Sequence, residues 1–226
     1  MIVASLPISI SPALMSDVDW TPPSDALPLP AEVSTSEDES AQLMLRVKAG
    51  DERAFERLVE LHQHAVIGTV TRMLGSAEDG HDVAQMVFIR VWKSAPRYEP
   101  TAKFTTWLYT IMRNLVFNEM RRRGRRKEIS LDEPVFEDQP RELADPAMLP
   151  ADTLAERAEL ETALDKAIAA LPEKQRMAVL LRQQQETPYE DLCGILGMSL
   201  PAVKSLLFRA RAELRRHLAA YLGEGP

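Results

Sequence analysis

Residues 189–211 read YEDLCGILGMSLPAVKSLLFRAR, and this stretch decides the fold. A helical pattern over Pro188–Leu196 stops at Gly197, a residue suited to the left-handed turn that closes a helix. Ser199 is placed to cap a second helix. With Val203 as the inward reference at about 100° per residue, Leu207, Ala210 and Leu214 fall within about 40° of it, which defines a buried stripe. Pro201, Lys204, Ser205, Phe208, Arg209 and Arg215 then point away. A short helix, a glycine turn and a longer helix make a helix-turn-helix. Its outward face holds cations that reach guanine edges and an aromatic ring that can touch a thymine methyl, which suits the DNA major groove. For any one cation an ordinary solvated face is the alternative, and for Phe208 it is packing on the preceding helix.

Upstream, Leu154–Leu171 and a helix starting near Pro172 and running to about Gln184 complete a C-terminal helical block, whose last helix runs from Leu200 to about Tyr221. A second block lies earlier in the chain. Its patterns are Leu43–Ala49 stopped by Gly50, Ala54–Leu74 stopped by Gly75, about Gly80–Ser94 stopped before Pro96, and Thr105–Arg123 ended by Gly124. Between the blocks, residues 128–152 hold Pro134, Pro140, Pro146 and Pro150 among acidic residues, the composition of a flexible acidic linker. Extended, such a linker spans up to about 80 Å, so the flanking domains need not touch. Residues 1–37, with six prolines, read as a disordered tail. The expected division is therefore a tail at 1–37, a helical domain at 38–127, the linker at 128–152 and a helix-turn-helix domain at 153–226.

Composition agrees with an all-α fold: 45% of the 226 residues are hydrophobic but only 6% aromatic, with abundant Ala, Leu, Glu and Arg. The net charge of −7 argues against a protein that coats nucleic acid by itself. Its distribution is more telling, because Arg113–Lys127 and Lys204–Arg216 are basic islands in an acidic chain. The single cysteine, Cys193, excludes an internal disulfide and fits a reducing cytoplasm. His62 and His64 do not share a helix face, and His81 and His217 stand apart, so no metal site, cofactor or catalytic constellation is expected. The apolar start, Met1–Met15, lacks a charged leader and is broken by prolines, and no run of about 18 apolar residues offers a membrane span.

The helix over Thr105–Arg123 has two unlike sides. Leu108, Ile111 and Leu115 share one, whereas Thr106, Thr110, Arg113, Asn114, Phe117 and Arg121 occupy much of the other. Cations, hydroxyls, an amide and an aromatic surface are what unpaired DNA calls for: backbone neutralisation, stacking and readout of an extruded base. The basic run by itself would fit a solvated helix terminus favoured by the macrodipole.

Taken together, LPEKQR at 171–176, YEDL at 189–192, GMS at 197–199, VKS at 203–205 and FRAR at 208–211 resemble the fourth conserved region of bacterial sigma factors. FTTWLYTIMRNL at 104–115 with RRR at 121–123 resembles the sigma segment that melts and recognises the −10 element, and DVAQMVFIRVW at 82–92 resembles the helix that docks on the polymerase β′ coiled coil. With no room for a third intermediate domain, the chain is most similar to the extracytoplasmic-function group: two small helical domains, a region 2 bundle and a region 4 helix-turn-helix. The resemblance implies that Lys204, Ser205, Phe208 and Arg209 face −35 DNA. It further implies that Tyr98, Trp107, Arg113, Asn114, Phe117, Arg121 and Arg122 serve the −10 region, with Asn114 lining the pocket for a flipped base. For Trp107, core packing and melting both stay open. Asp82, Gln85 and Met86 would contact core polymerase, although the family usually has Glu in place of Met86, and Arg in place of Leu206. The implied partners are core RNA polymerase, through its β′ coiled coil and β flap, promoter DNA, and an anti-sigma factor or other regulator. Linker acids such as Asp132, Glu133, Glu137 and Asp138 are candidates for threading the polymerase channel, or equally for simple solvation. The rival reading is a stand-alone helix-turn-helix regulator.

Overall fold

Capping residues set several helix ends in the first half of this protein, whose computed structural model describes residues 35–129 and 151–222. The tail before residue 35 and residues 130–150 of the acidic linker lie outside the described residues. Helix α1, Thr35–Lys48, is followed by Gly50 at φ 94, where the chain turns. Asp51 then caps α2, Glu52–Leu74, by accepting the Ala54 amide at 3.1 Å. Gly75 closes α2 at φ 73 with its amide donating to the Thr71 carbonyl, and Ser76 at once caps α3, Ala77–Ser94, by accepting from the Asp79 amide. Two helices are thus joined by a two-residue hinge, so they must cross closely. They do so at Gly80, where a Cβ atom would stand 2.9 Å from the Thr71 Cα. A short 3-10 turn at Ala95–Arg97 leads to α4, Phe104–Ile129.

The second block comprises α5, Ala151–Ala170, α6, Glu173–Gln184, α7, Tyr189–Leu196, α8, Leu200–His217, and the one-turn α9, Ala219–Leu222. Gly197, at φ 63, closes α7, and the chain turns through 97° into α8. Among the described residues there is no strand, and no single helix is long and apolar enough to cross a membrane.

Several boundaries differ from the sequence expectation, two of them by six residues or more. Helix α1 begins at Thr35, well before Leu43, because the all-polar stretch from Thr35 to Ser40 carries no apolar period to announce it. Helix α4 runs straight through Gly124. A mid-helix glycine costs only about 1 kcal/mol, and ion pairs of Glu119 with Arg122 (2.8 Å) and Arg123 (3.1 Å) support the turn before it.

The helices of the first block bury Met44, Leu58, Val70, Val87, Leu108 and Met112, and those of the second bury Met177, Leu180, Leu192, Ile195, Val203 and Leu207. These two sets belong to one continuous apolar core. The linker's reach would allow the blocks to stand apart, but here they are packed together, with α7 lying against α4 and α6 against α2. Polar contacts close the seam. Arg176 on α6 donates to the Met73 carbonyl of α2 at 2.8 Å as well as to carbonyls at the end of α5, and Arg72 faces Asp165 at 3.5 Å.

Candidate nucleic-acid interface

On α8 the inward stripe is as the spacing requires: Val203, Leu207 and Ala210 are buried, and Leu214 is half-buried against the core. Leu206 is buried as well, so it widens the apolar stripe. The opposite face is open. Lys204, Ser205 and Arg209 are exposed, and Phe208 leaves 74% of its surface in solvent. A phenyl ring packed on the preceding helix would not be so bare, so Phe208 stands as an aromatic surface among cations. Arg209 is steadied along its own helix by a 3.4 Å contact to the Ser205 carbonyl.

Helix α3 presents Asp82 and Met86, spaced four residues apart, on one exposed side, with Gln85 half-buried beside them. Met86 is 50% exposed.

Helix α4 is more complicated. Arg121 and Arg122 are exposed near its C-terminal end; Arg121 binds the Asn118 side chain at 2.6 Å, and Arg122 pairs with Glu119. Arg122 foremost, and then Arg123, hold the Glu119 carboxyl below its ordinary range. Phe117, expected as an exposed aromatic, is half-buried and packed against the core. Trp107 is half-buried, with its ring 5.0 Å from Tyr98 and 5.9 Å from Phe104. Tyr98 itself is 1% exposed, its ring enclosed by these aromatics and its carbonyl accepting from Lys48 at 2.8 Å. In this conformation Tyr98 is therefore a core residue rather than a wall of an open pocket. Asn114 is half-buried, and its side-chain oxygen accepts from Arg113 Nε at 3.1 Å and from a terminal guanidinium nitrogen at 2.6 Å.

The other arm of Arg113 donates to the Ile195 carbonyl in the last turn of α7. Burial lowers the guanidinium's affinity for its proton, although arginine stays charged. Nearby, Lys103 pairs with Asp191 at 3.0 Å and the Tyr109 hydroxyl donates to Gln185 at 3.1 Å. Lys103, Tyr109, Gln185 and Asp191 were not singled out by the sequence. Charges 88 residues apart give no local pattern that pairs them. The one visible signal was Gly194, a glycine inside a short helix: a Cβ there would meet the Thr106 methyl at 3.4 Å.

Elsewhere, His62 is largely buried, with Nε2 3.0 Å from the Ser40 hydroxyl, and desolvation pushes it down to about 4. Cys193 is half-buried, and burial, with Glu190 nearby, raises its thiol. Among the described residues no group of three or more His, Cys, Asp or Glu side chains converges as a metal site would require.

Comparison with known proteins gives concordant results over both blocks. Residues 58–126 match the family described as Sigma-70 region 2, and residues 161–214 match Sigma-70, region 4. The chain is 32% identical over 197 residues to the RNA polymerase sigma-H factor of Pseudomonas aeruginosa, covering 84% of this chain and 98% of that protein. It is 34% identical over 178 residues to the ECF RNA polymerase sigma-E factor of Escherichia coli K12, covering 76% and 90% respectively. Among solved structures, the sigma factor RpoE of Bartonella quintana, crystallised with the anti-sigma factor NepR, aligns with a TM-score of 0.60 at 25% identity, over 73% of this chain and 96% of that one. CnrH, solved with the cytosolic domain of CnrY, has the same fold, with a TM-score of 0.58 at 24% identity over 81% of this chain and 99% of that one.

Proposed function

The chain belongs to the extracytoplasmic-function group of the sigma-70 family and acts as an alternative sigma factor directing transcription, and on that premise we propose how its residues divide the work. Residues 38–127 serve as region 2 and residues 153–226 as region 4. Region 4 reads −35 duplex through Lys204, Ser205, Phe208 and Arg209. Region 2 docks on the β′ coiled coil of core polymerase through Asp82, Gln85 and Met86. It then opens and reads −10 DNA with Arg113, Asn114 and Phe117, while Arg121 and Arg122 neutralise the strand. Trp107 and Tyr98 support that site from behind as packed aromatics. The β flap of polymerase receives region 4. The chain itself catalyses no reaction, works in the cytoplasm, and pairs with an anti-sigma factor, as RpoE does in its complex with NepR.

The observation that carries this reading is the bare Phe208 ring among exposed Lys204, Ser205 and Arg209 on a helix whose other side is fully buried. A lone exposed apolar side chain is ordinary on a protein surface, but a bare aromatic ring beside two cations and a hydroxyl on one helix face matches what a DNA groove receives.

The test separates reading from docking. With purified core polymerase, Asn114→Ala should lower transcription while leaving polymerase binding intact. Lys204→Ala and Arg209→Ala should each weaken −35 recognition by about 1 to 3 kcal/mol, selectively by promoter sequence. An equal loss of binding and transcription in Asn114→Ala would mark that residue as structural. A loss that is uniform across promoters would reduce Lys204 and Arg209 to phosphate contacts.

A further inference from the structure

The loop that leads into α4 is held by a lysine of α1. Helix α1 lies ahead of residues 58–126, the span that matches region 2. Lys48, in its last turn, nevertheless donates its ammonium to the Tyr98 carbonyl at 2.8 Å, 50 residues further along the chain. A lysine at a helix C-terminus ordinarily faces that helix's own last carbonyls or solvent. Here the ammonium goes to another element.

Lys48 reaches Tyr98 from a fixed corner. Leu43, Met44 and Val47 are buried, and the Ser40 hydroxyl meets His62 of α2 at 3.0 Å. At the end of α1, Arg46 donates to one Asp51 oxygen through Nε at 3.0 Å and a terminal nitrogen at 2.7 Å, while the other Asp51 oxygen caps α2. Residues on both sides of Lys48 are therefore tied down.

The receiving segment has few backbone bonds of its own. Pro96 and Pro100 lack amide hydrogens, and Glu99 to Ala102 are exposed. Tyr98 anchors it. Its amide donates to the Ala95 carbonyl at 3.0 Å, its ring stands 5.0 Å from Trp107 and 6.3 Å from Phe104, and its carbonyl takes the Lys48 ammonium. Trp107, Thr110 and Asn114, spaced i, i+3 and i+7, share one side of α4. The place of the Tyr98 carbonyl thus sets the place of the ring against Trp107, and with it the support of the face that carries Asn114.

We propose that Lys48 is a positioning residue of the −10 site: its bond to the Tyr98 carbonyl fixes the aromatic support of α4 and the path of the loop into that helix, so that Asn114 meets an extruded base in one geometry. Lys48 acts through Tyr98 and not on the strand. The proposal rests on the sigma-factor reading of α4.

Lys48→Met removes the ammonium but keeps the stem and the helix propensity, and Lys48→Arg restores a cation. Both are tested in the full-length chain with core polymerase, on a promoter taken from transcripts that the wild-type chain makes on genomic DNA. Permanganate reactivity of unpaired thymines reads opening, and single-base changes in the −10 element read selectivity. Lys48→Met should bind core polymerase and respond to the −35 element as wild type does. It should open the promoter about tenfold less and separate the −10 changes about threefold to tenfold less sharply, with Lys48→Arg recovering most of both. A spectroscopic readout stands beside these. With Trp20→Phe and Trp92→Phe in the background, Trp107 is the one left of three tryptophans. Its emission should shift to the red in Lys48→Met and hold in Lys48→Arg. Wild-type opening and selectivity in Lys48→Met, unmoved Trp107 emission, or no recovery in Lys48→Arg would overturn the proposal. So would a loss uniform across −10 sequences, which marks a phosphate contact. If the wild-type chain opened no promoter with core polymerase, the sigma-factor reading of α4 would fail, while the Trp107 emission would still report whether Lys48 places Tyr98.

Discussion

Gly80→Ala is expected to loosen the helix pair that carries the proposed polymerase-docking face. A Cβ at this position would stand 2.2 Å from the Thr71 hydroxyl oxygen, 2.9 Å from its Cβ and 2.9 Å from its Cα. Rotating the hydroxyl relieves the first contact only. The last is with backbone, so α3 must move off α2 by several tenths of an ångström, at a site where Thr71 is 2% exposed and the neighbouring Met73 is fully buried. Overpacking of this kind costs about 1 to 3 kcal/mol, and the better helix propensity of alanine returns at most about 1 kcal/mol. A net loss of about 1 to 2 kcal/mol follows. Gly68→Ala and Gly124→Ala are the matched controls, since both glycines are helical and face open space. Those changes should stabilise by up to about 1 kcal/mol through propensity alone. Thermal unfolding followed by circular dichroism measures all three, at about 4 to 8 °C per kcal/mol for a domain of this size. Because Asp82 and Met86 lie within two turns of Gly80, the same variant should also weaken core polymerase binding. A melting temperature for Gly80→Ala that rises like the controls would refute the close-crossing argument.

Three further expectations concern single residues. Phe208→Ala should leave stability within about 0.5 kcal/mol, since the ring is bare, yet reduce −35-dependent transcription by roughly tenfold; a stability loss without a transcription loss would return Phe208 to a packing role. His62 is held down to about 4 by burial, so the unfolded chain, near the ordinary 6.5, binds more protons between those values. Stability should therefore fall as pH drops from about 6.5 toward 4, by up to about 3 kcal/mol, and His62→Gln should flatten that slope in urea titrations at each pH. Met86→Glu, at a half-exposed docking position, should not alter folding but should raise affinity for core polymerase about threefold to tenfold in a pull-down titration; a decrease would identify the methionine's apolar surface as the contact.

What could be read in advance was local. Stripes such as Val203, Leu207 and Ala210, and stop signals such as Gly75 and Gly197, repeat at helical spacing or sit beside caps, so a few neighbouring residues suffice to place them. The outward set on α8 followed from the same arithmetic. The α4 face was legible as chemistry but not as environment. Tyr98 lies in the packed interior and Phe117 packs half-buried against it, and Gly124 does not stop α4 because a helical glycine costs only about 1 kcal/mol, part of which the neighbouring ion pairs offset. Least legible was the seam, where Lys103 meets Asp191 and Arg113 meets the Ile195 carbonyl. Contacts between residues over 80 positions apart have no periodicity, and a proline-rich acidic stretch says how far two domains can separate, not that they will pack.

The most direct measurement is the sequencing of transcript 5′ ends made by core polymerase and this protein on genomic DNA. The account predicts starts absent with core polymerase by itself, sharing paired −35 and −10 elements, with Lys204→Ala altering preference at the first and Asn114→Ala depleting use of the second. Starts no different from those of core polymerase, or a shared element at one position only, would contradict it.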